Sequence, residues 1–152
     1  MLAVGLRART ASHHKSMIEI LVVDDNQKHV LLVKECLSTY RGVSVTVAED
    51  GQHALRLLAI HDYRPDLILL ELLIPIVDGH EVLRRIRRKN LAIPIVVLSV
   101  SRSQDDISLA YASGANMYAE KPSSPGSFRR TIHAIAQLWL EPETAASAAS
   151  AK

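Results

Sequence analysis

Strand-type and helix-type patterns alternate five times along this chain, and that alternation admits very few folds. Ile18–Val23 is a β-branched run that ends in Asp24-Asp25. Asn26 follows as a helix cap, and Val30, Val33, Leu37 and Tyr40 share one face of a helix expected to run to Tyr40. Val43, Val45 and Val47 alternate with Ser44 and Thr46, the period of a strand. Asp50-Gly51 opens a second helix that carries Ala54, Leu55, Leu57, Leu58 and Ile60. Pro65 precedes a third strand over 66–71, wholly apolar from Leu67 to Leu70 and ending on Glu71. Further strands are expected over 93–99, interrupted early by Pro94, and over 116–119. Further helices are expected over 79–89, 104–112 and 126–140. Ser113-Gly114 closes the fourth helix, and Phe128, Ile132, Ile135, Ala136 and Trp139 form the apolar stripe of the fifth.

Five strands alternating with five helices predict an α/β domain, a doubly wound five-stranded parallel sheet covered on both faces. Right-handed crossovers restrict its winding, and the expected strand order is the flavodoxin-like 2-1-3-4-5. The switch point then lies between strands 1 and 3, and ligands of such sheets bind beyond the carboxyl ends of the strands there.

The domain is expected over 17–140, with a disordered leader over 1–16 and a flexible Ala/Ser-rich tail over 141–152. The overall charge of +2 comes from the leader: residues 1–16 hold Arg7, Arg9 and Lys15 and no acid. The remaining 15 basic residues face 16 acidic ones, a net of −1, which speaks against nucleic acid as a partner. No apolar run reaches the roughly 18 residues of a membrane span. The single Cys36 cannot form an internal disulfide, in keeping with a cytoplasmic setting.

The chemistry-bearing residues end the strands. Asp24 and Asp25 end the first, Glu71 the third, Ser99 the fourth, and Lys121 follows the fifth. Taken singly, each has a plainer use: an Asp pair caps a helix, a Ser makes a turn, a Lys-Pro is a loop. Together they end four strands of one sheet. Three carboxylates brought together require a compensating cation. A hard divalent ion such as Mg²⁺ is one candidate, and Lys121 is the other.

These pieces resemble the response-regulator receiver domains of two-component signalling. They are Ile20-Leu-Val-Val-Asp24-Asp25-Asn26, Pro65-Asp-Leu-Ile-Leu-Leu-Glu71 with Pro75 and Asp78-Gly79, Val96-Val-Leu-Ser99, and Gly114-Ala-Asn-Met-Tyr118-Ala-Glu-Lys121-Pro122. The resemblance implies that Asp24 and Asp25 bind a metal beside Glu71. It implies that Ser99 is the switch hydroxyl, that Tyr118 rotates with it, and that Lys121 contacts a phosphoryl group. It implies a sensor histidine kinase as partner. The Gly114–Asn116 segment and the Trp139-Leu140 ending are also similar to the small regulators paired with bacterial phytochromes.

Glu71 stands where that family has its phosphoacceptor Asp. The extra methylene displaces the carboxylate, and in-line phosphoryl transfer depends on the placement of the attacking oxygen. Val100 narrows the entrance, and Leu73 is apolar where the family often has a polar group. Weak or absent phosphorylation is therefore expected. Glu71 either mimics the phosphorylated state or marks a silent site. Its charge of about −1 is smaller than the −1.5 to −2 of a phosphate.

The expected function is a regulator without an effector domain, not an enzyme, acting through protein contacts. One alternative is a phosphorylation-independent structural dimer module. Another is an FMN-binding flavodoxin-like protein, which would need a Ser/Thr/Gly-rich loop where Asp24-Asp25-Asn26-Gln27 stands. A homodimer through the fourth helix, fifth strand and fifth helix is expected. Trp139 and Leu140 either add to that interface or fold back on the core. The run Arg84, Arg85, Arg87, Arg88, Lys89 is read as a solvated face or a dock for an acidic partner.

Overall fold

The protein is described by a computed structural model over residues 17–140. The leader and tail expected over 1–16 and 141–152 lie outside the described residues. Five parallel strands are present: β1 (Ile18–Val23), β2 (Val43–Ala48), β3 (Leu67–Leu70), β4 (Ile95–Ser99) and β5 (Met117–Glu120). Their order is β2-β1-β3-β4-β5, as the alternation requires. The helices are α1 (Gln27–Leu37), α2 (Gly51–Leu58), α3 (Gly79–Arg88), α4 (Gln104–Ala112) and α5 (Pro125–Trp139).

Each helix starts on its own cap, which fixes the loops at the carboxyl end of the sheet. Asn26, Asp50, Asp78, Ser103 and Ser124 each accept a hydrogen bond from the backbone N–H three residues on. Replacing such a cap typically costs about 1 kcal/mol. The two-residue period of the strands divides the core. Ile20, Val22, Leu67, Leu69, Val96 and Leu98 meet α1 and α5 through Val33, Leu37, Phe128, Ile132 and Trp139. Leu21, Val23, Ile68, Leu70, Ile95 and Val97 meet the other helices through Ala54, Leu58, Val82, Leu83, Ile86 and Ala110.

Several boundaries differ from expectation for local reasons. The first helix stops at Leu37, because Thr39 and Tyr40 make tighter i→i−3 bonds to Cys36 and Leu37. The fourth strand starts at Ile95 because Pro94 has no N–H to give, although its carbonyl still accepts from Ile68. The last helix starts one residue early, with Pro125 in its first turn, where a missing N–H costs nothing.

Trp139 and Leu140 fold back. Both are buried in the chain's own core between α1 and α5, so neither offers its apolar surface to a partner in this arrangement. The basic run is likewise divided. Arg84, Arg85 and Arg88 all converge on Glu81 at the surface, and the bonds from Arg85 and then Arg84 hold its carboxyl down at about 2. Arg87 instead turns inward and donates to the carbonyls of Leu91, Ile93 and Gly114 and to Asn116 Oδ1. It clamps the loop before β4 to the loop before β5.

Candidate functional site

The switch point between β1 and β3 places Asp24 and Glu71 side by side, with Ser99 one strand further on. All three are buried, as is Lys121. The chain stays aligned past the strands: Glu71 N–H donates to Val23 O at 2.9 Å and Lys121 N–H to Ser99 O at 2.7 Å.

Lys121 supplies the compensating charge. Its ammonium lies 2.6 Å from Asp24 Oδ2 and 2.9 Å from Glu71 Oε1. Asp24 is further held by the N–H of Asn26 at 2.9 Å. Asp25, one residue on, is exposed. Of the three acids expected around a metal, Asp24 and Glu71 share the Lys121 ammonium, and Asp24 and Asp25 line one surface pocket. No cluster of three or more His, Cys, Asp or Glu is placed to hold a metal ion among the described residues.

Glu71 is the most heavily bonded side chain of the pocket. The Ser99 hydroxyl donates to its Oε2. The Leu73 N–H donates to Oε2 at 3.2 Å, and the Val100 N–H to Oε1 at 3.2 Å. Burial pushes its carboxyl up, but the Ser99 hydroxyl and the Lys121 ammonium outweigh burial, and Glu71 titrates below the usual carboxylate range. It is thus an anion at neutral pH, met by four donors. The side chains of Leu73 and Val100 flank this mouth and are about half exposed.

Tyr118 is half-buried and its hydroxyl donates to Ser101 O at 2.8 Å, so its ring lies against the loop that leads out of Ser99. Sequence reading missed one residue here. His29, in the first turn of α1, places Nδ1 3.0 Å from Lys121 Nζ and its ring 5.2 Å from that of Phe128. Burial and then the Lys121 charge push the imidazole below its ordinary value, against the opposing pull of Asp24, Glu71 and Asp25. A neutral ring accepting from the ammonium fits that geometry. The available signal was the cap at Asn26, which fixes how the first turn of α1 faces the pocket.

His29 has a consequence for stability. Its folded value lies below the unfolded one near 6.5, so the folded state binds fewer protons. Its contribution is complete above about pH 6.5 and declines as pH falls through the folded value. Thermal midpoints taken from pH 7.5 down to 5.5 are expected to drop, and His29→Gln to flatten that slope. An unchanged slope in the variant would remove His29 from the pocket's electrostatics.

Fold and pocket together define a receiver-type signalling domain, an acid, a hydroxyl and a lysine at the switch point of a flavodoxin-like sheet. The chain belongs to the response-regulator receiver family, whose profile, "Response regulator receiver domain", matches residues 20–133. Among curated proteins it is 38% identical over 128 residues to the probable methanogenesis regulatory protein FilR2 of Methanothrix harundinacea, covering 80% of this chain and 83% of that one. It is 36% identical over 117 residues to the alkaline phosphatase synthesis transcriptional regulatory protein PhoP of Bacillus subtilis, covering 77% of this chain but 48% of PhoP. The chain thus spans most of FilR2 and about half the length of PhoP. Among solved structures, the phosphorylated cyanobacterial phytochrome response regulator RcpA superposes with a TM-score of 0.78 at 34% identity, over 82% of this chain and 94% of that one. The Mn²⁺-bound form of response regulator Rcp1 gives 0.78 at 33% identity, over 82% and 95%. No helix among the described residues is long and apolar enough to cross a membrane.

Proposed function

We propose that this receiver signals through protein contacts while Glu71 holds its pocket in the arrangement that a phosphoryl group on an aspartate would otherwise impose. The observation that carries the reading is the bond from the Ser99 hydroxyl to the Glu71 carboxylate. The same carboxylate also takes Lys121 and the N–H groups of Leu73 and Val100. A phosphoryl oxygen reaching out from a shorter side chain would need such donors, and a glutamate reaches them through its extra methylene. Tyr118, bonded to the loop after Ser99, accompanies that arrangement. On this reading the chain is a cytoplasmic signalling module rather than an enzyme. Its partner is a sensor histidine kinase, a bacterial phytochrome by analogy with the phytochrome regulators it matches. Homodimerisation through α4, β5 and α5 belongs to the same proposal.

The test is incubation with acetyl phosphate and Mg²⁺. In the unaltered protein, no phosphoryl group stable to isolation is expected on Glu71. Glu71→Asp is expected to accept one, its carboxylate oxygen attacking phosphorus with acetate leaving. A shorter carboxylate vacates the place beside Ser99 and Lys121 that the new phosphoryl oxygens must take. Intact-mass spectrometry reads both. Stable phosphorylation of Glu71 itself would overturn the reading.

A further inference from the structure

We propose that Asp106 is the positioning residue that ties α4 to the Glu71 pocket through Ser101, and to α3 through His80. The inference rests on the reading that Glu71 sets the state of the pocket, and extends it to an element that touches no part of that carboxylate.

The hydrogen bonds form one continuous chain. The Ser99 hydroxyl donates to Glu71, and the Ser101 N–H donates to Ser99 Oγ at 3.2 Å. The Ser101 hydroxyl donates to Asp106 Oδ2 at 2.6 Å. Asp106 Oδ1 lies 3.0 Å from His80 Nε2, in the first turn of α3. Ser101 is the junction, since its carbonyl also accepts from Tyr118. His80 Nδ1 is buried without a partner among the described residues, so Asp106 is what orients that ring. The His80 and Asp106 side chains are only 14% and 31% exposed, which limits screening by water.

The packing of α4 makes these bonds matter. It buries only Ala110, whereas α3 buries Gly79, Val82, Leu83 and Ile86. Leu109 and Tyr111 are more than 40% exposed, and the Tyr111 hydroxyl reaches back to accept from the Tyr118 N–H at 3.0 Å. A helix with one buried apolar residue gains little positional restraint from the hydrophobic effect, which is non-directional in any case. Its place is set by directional polar ties, and Asp106 makes two of them. A shift of Ser99 away from Glu71 moves Ser101, and through Asp106 the start of α4.

Amide hydrogen exchange across residues 104–112 tests this in the full chain. Asp106→Ala is expected to speed exchange in α4 about tenfold, the scale of two lost hydrogen bonds, while α5 keeps its rate. Glu71→Ala is expected to speed the same amides, and the double variant to exchange no faster than the faster single one. Factors that multiply would show two independent effects and overturn the coupling. So would a wild-type rate in Glu71→Ala when its Ser99 and Val100 resonances have moved. If those resonances stay in place in Glu71→Ala, the reading of Glu71 itself fails. A second pair guards against a folding defect: His80→Leu should loosen α4, and His80→Gln, whose amide can still donate to Asp106, should restore it. Equal loosening in both would remove the tie to α3.

Discussion

Lys121→Met is expected to destabilise the protein by roughly 3 kcal/mol at pH 7, because it leaves buried carboxylates without their cation. The Lys121 side chain is 2% exposed, and those of Asp24 and Glu71 are 6% and 4% exposed. One ammonium therefore compensates two desolvated acids, and the backbone N–H groups of Asn26, Leu73 and Val100 share the remainder. The Arg129–Glu35 pair between α5 and α1 is the comparison, at 44% and 64% exposure. Breaking it should cost no more than about 1 kcal/mol. The pH dependence has a definite sign. Glu71 titrates lower in the folded than in the unfolded state, so its contribution is present above the unfolded value and lost as pH falls through the folded one. The gap between wild type and Lys121→Met should be full at pH 7 and narrow below about pH 4.5. Adding Glu71→Gln to the variant should recover part of the loss, since it removes one stranded charge. Urea unfolding at pH 7 and pH 4 decides the matter. A gap under about 1 kcal/mol at neutral pH would mean that water reaches the pocket and that the pairing is superficial.

The positions of Asp24, Glu71, Ser99 and Lys121 were legible because strand ends are. An apolar run such as Leu67–Leu70 must stop where its first charge appears, and the handedness of crossovers then dictates which ends are neighbours. What followed from period alone was also sound, including the stripe of α5 from Phe128 to Trp139. The partners of the Lys121 ammonium were not legible in detail, because they turn on the path of a long side chain and not on its place in the chain. Asp25 was grouped with Asp24, and the two do line one pocket, Asp24 buried and Asp25 exposed. Arg87 was lost in a run of like charges; only its rotation about α3, one position beyond the buried Ile86, separates it from Arg84, Arg85 and Arg88. Asp106 and His80 are 26 residues apart on two different helices, and no short-range pattern links them. Such pairs depend on how two helices are rotated about their axes, which hydrophobic periodicity fixes only to about a third of a turn.

Gly79→Ala should destabilise the protein by about 3 kcal/mol although alanine is the better helix former, because the first turn of α3 is pressed against the backbone that carries Glu71. A Cβ at this position would lie 2.5 Å from Leu72 Cα and 2.6 Å from Glu71 O. Both are backbone atoms, held by the bonds from Gly79 N–H to Leu72 O and from Glu71 N–H to Val23 O, each 2.9 Å. They cannot swing aside as a flexible side chain would. Relief requires α3 to lift or the Glu71–Leu72 peptide to shift, and the second moves the carboxylate away from Ser99, Val100 and Lys121. The substitution therefore predicts two linked results. The urea midpoint falls, and the Val100 amide resonance moves toward its position in Glu71→Ala. A stability loss with Val100 unmoved would mean that α3 gives way alone and that the pocket is stiffer than the helix above it. A gain in stability would show that the close approach of α3 to β3 does not hold in solution, and with it the geometry on which the Glu71 pocket depends.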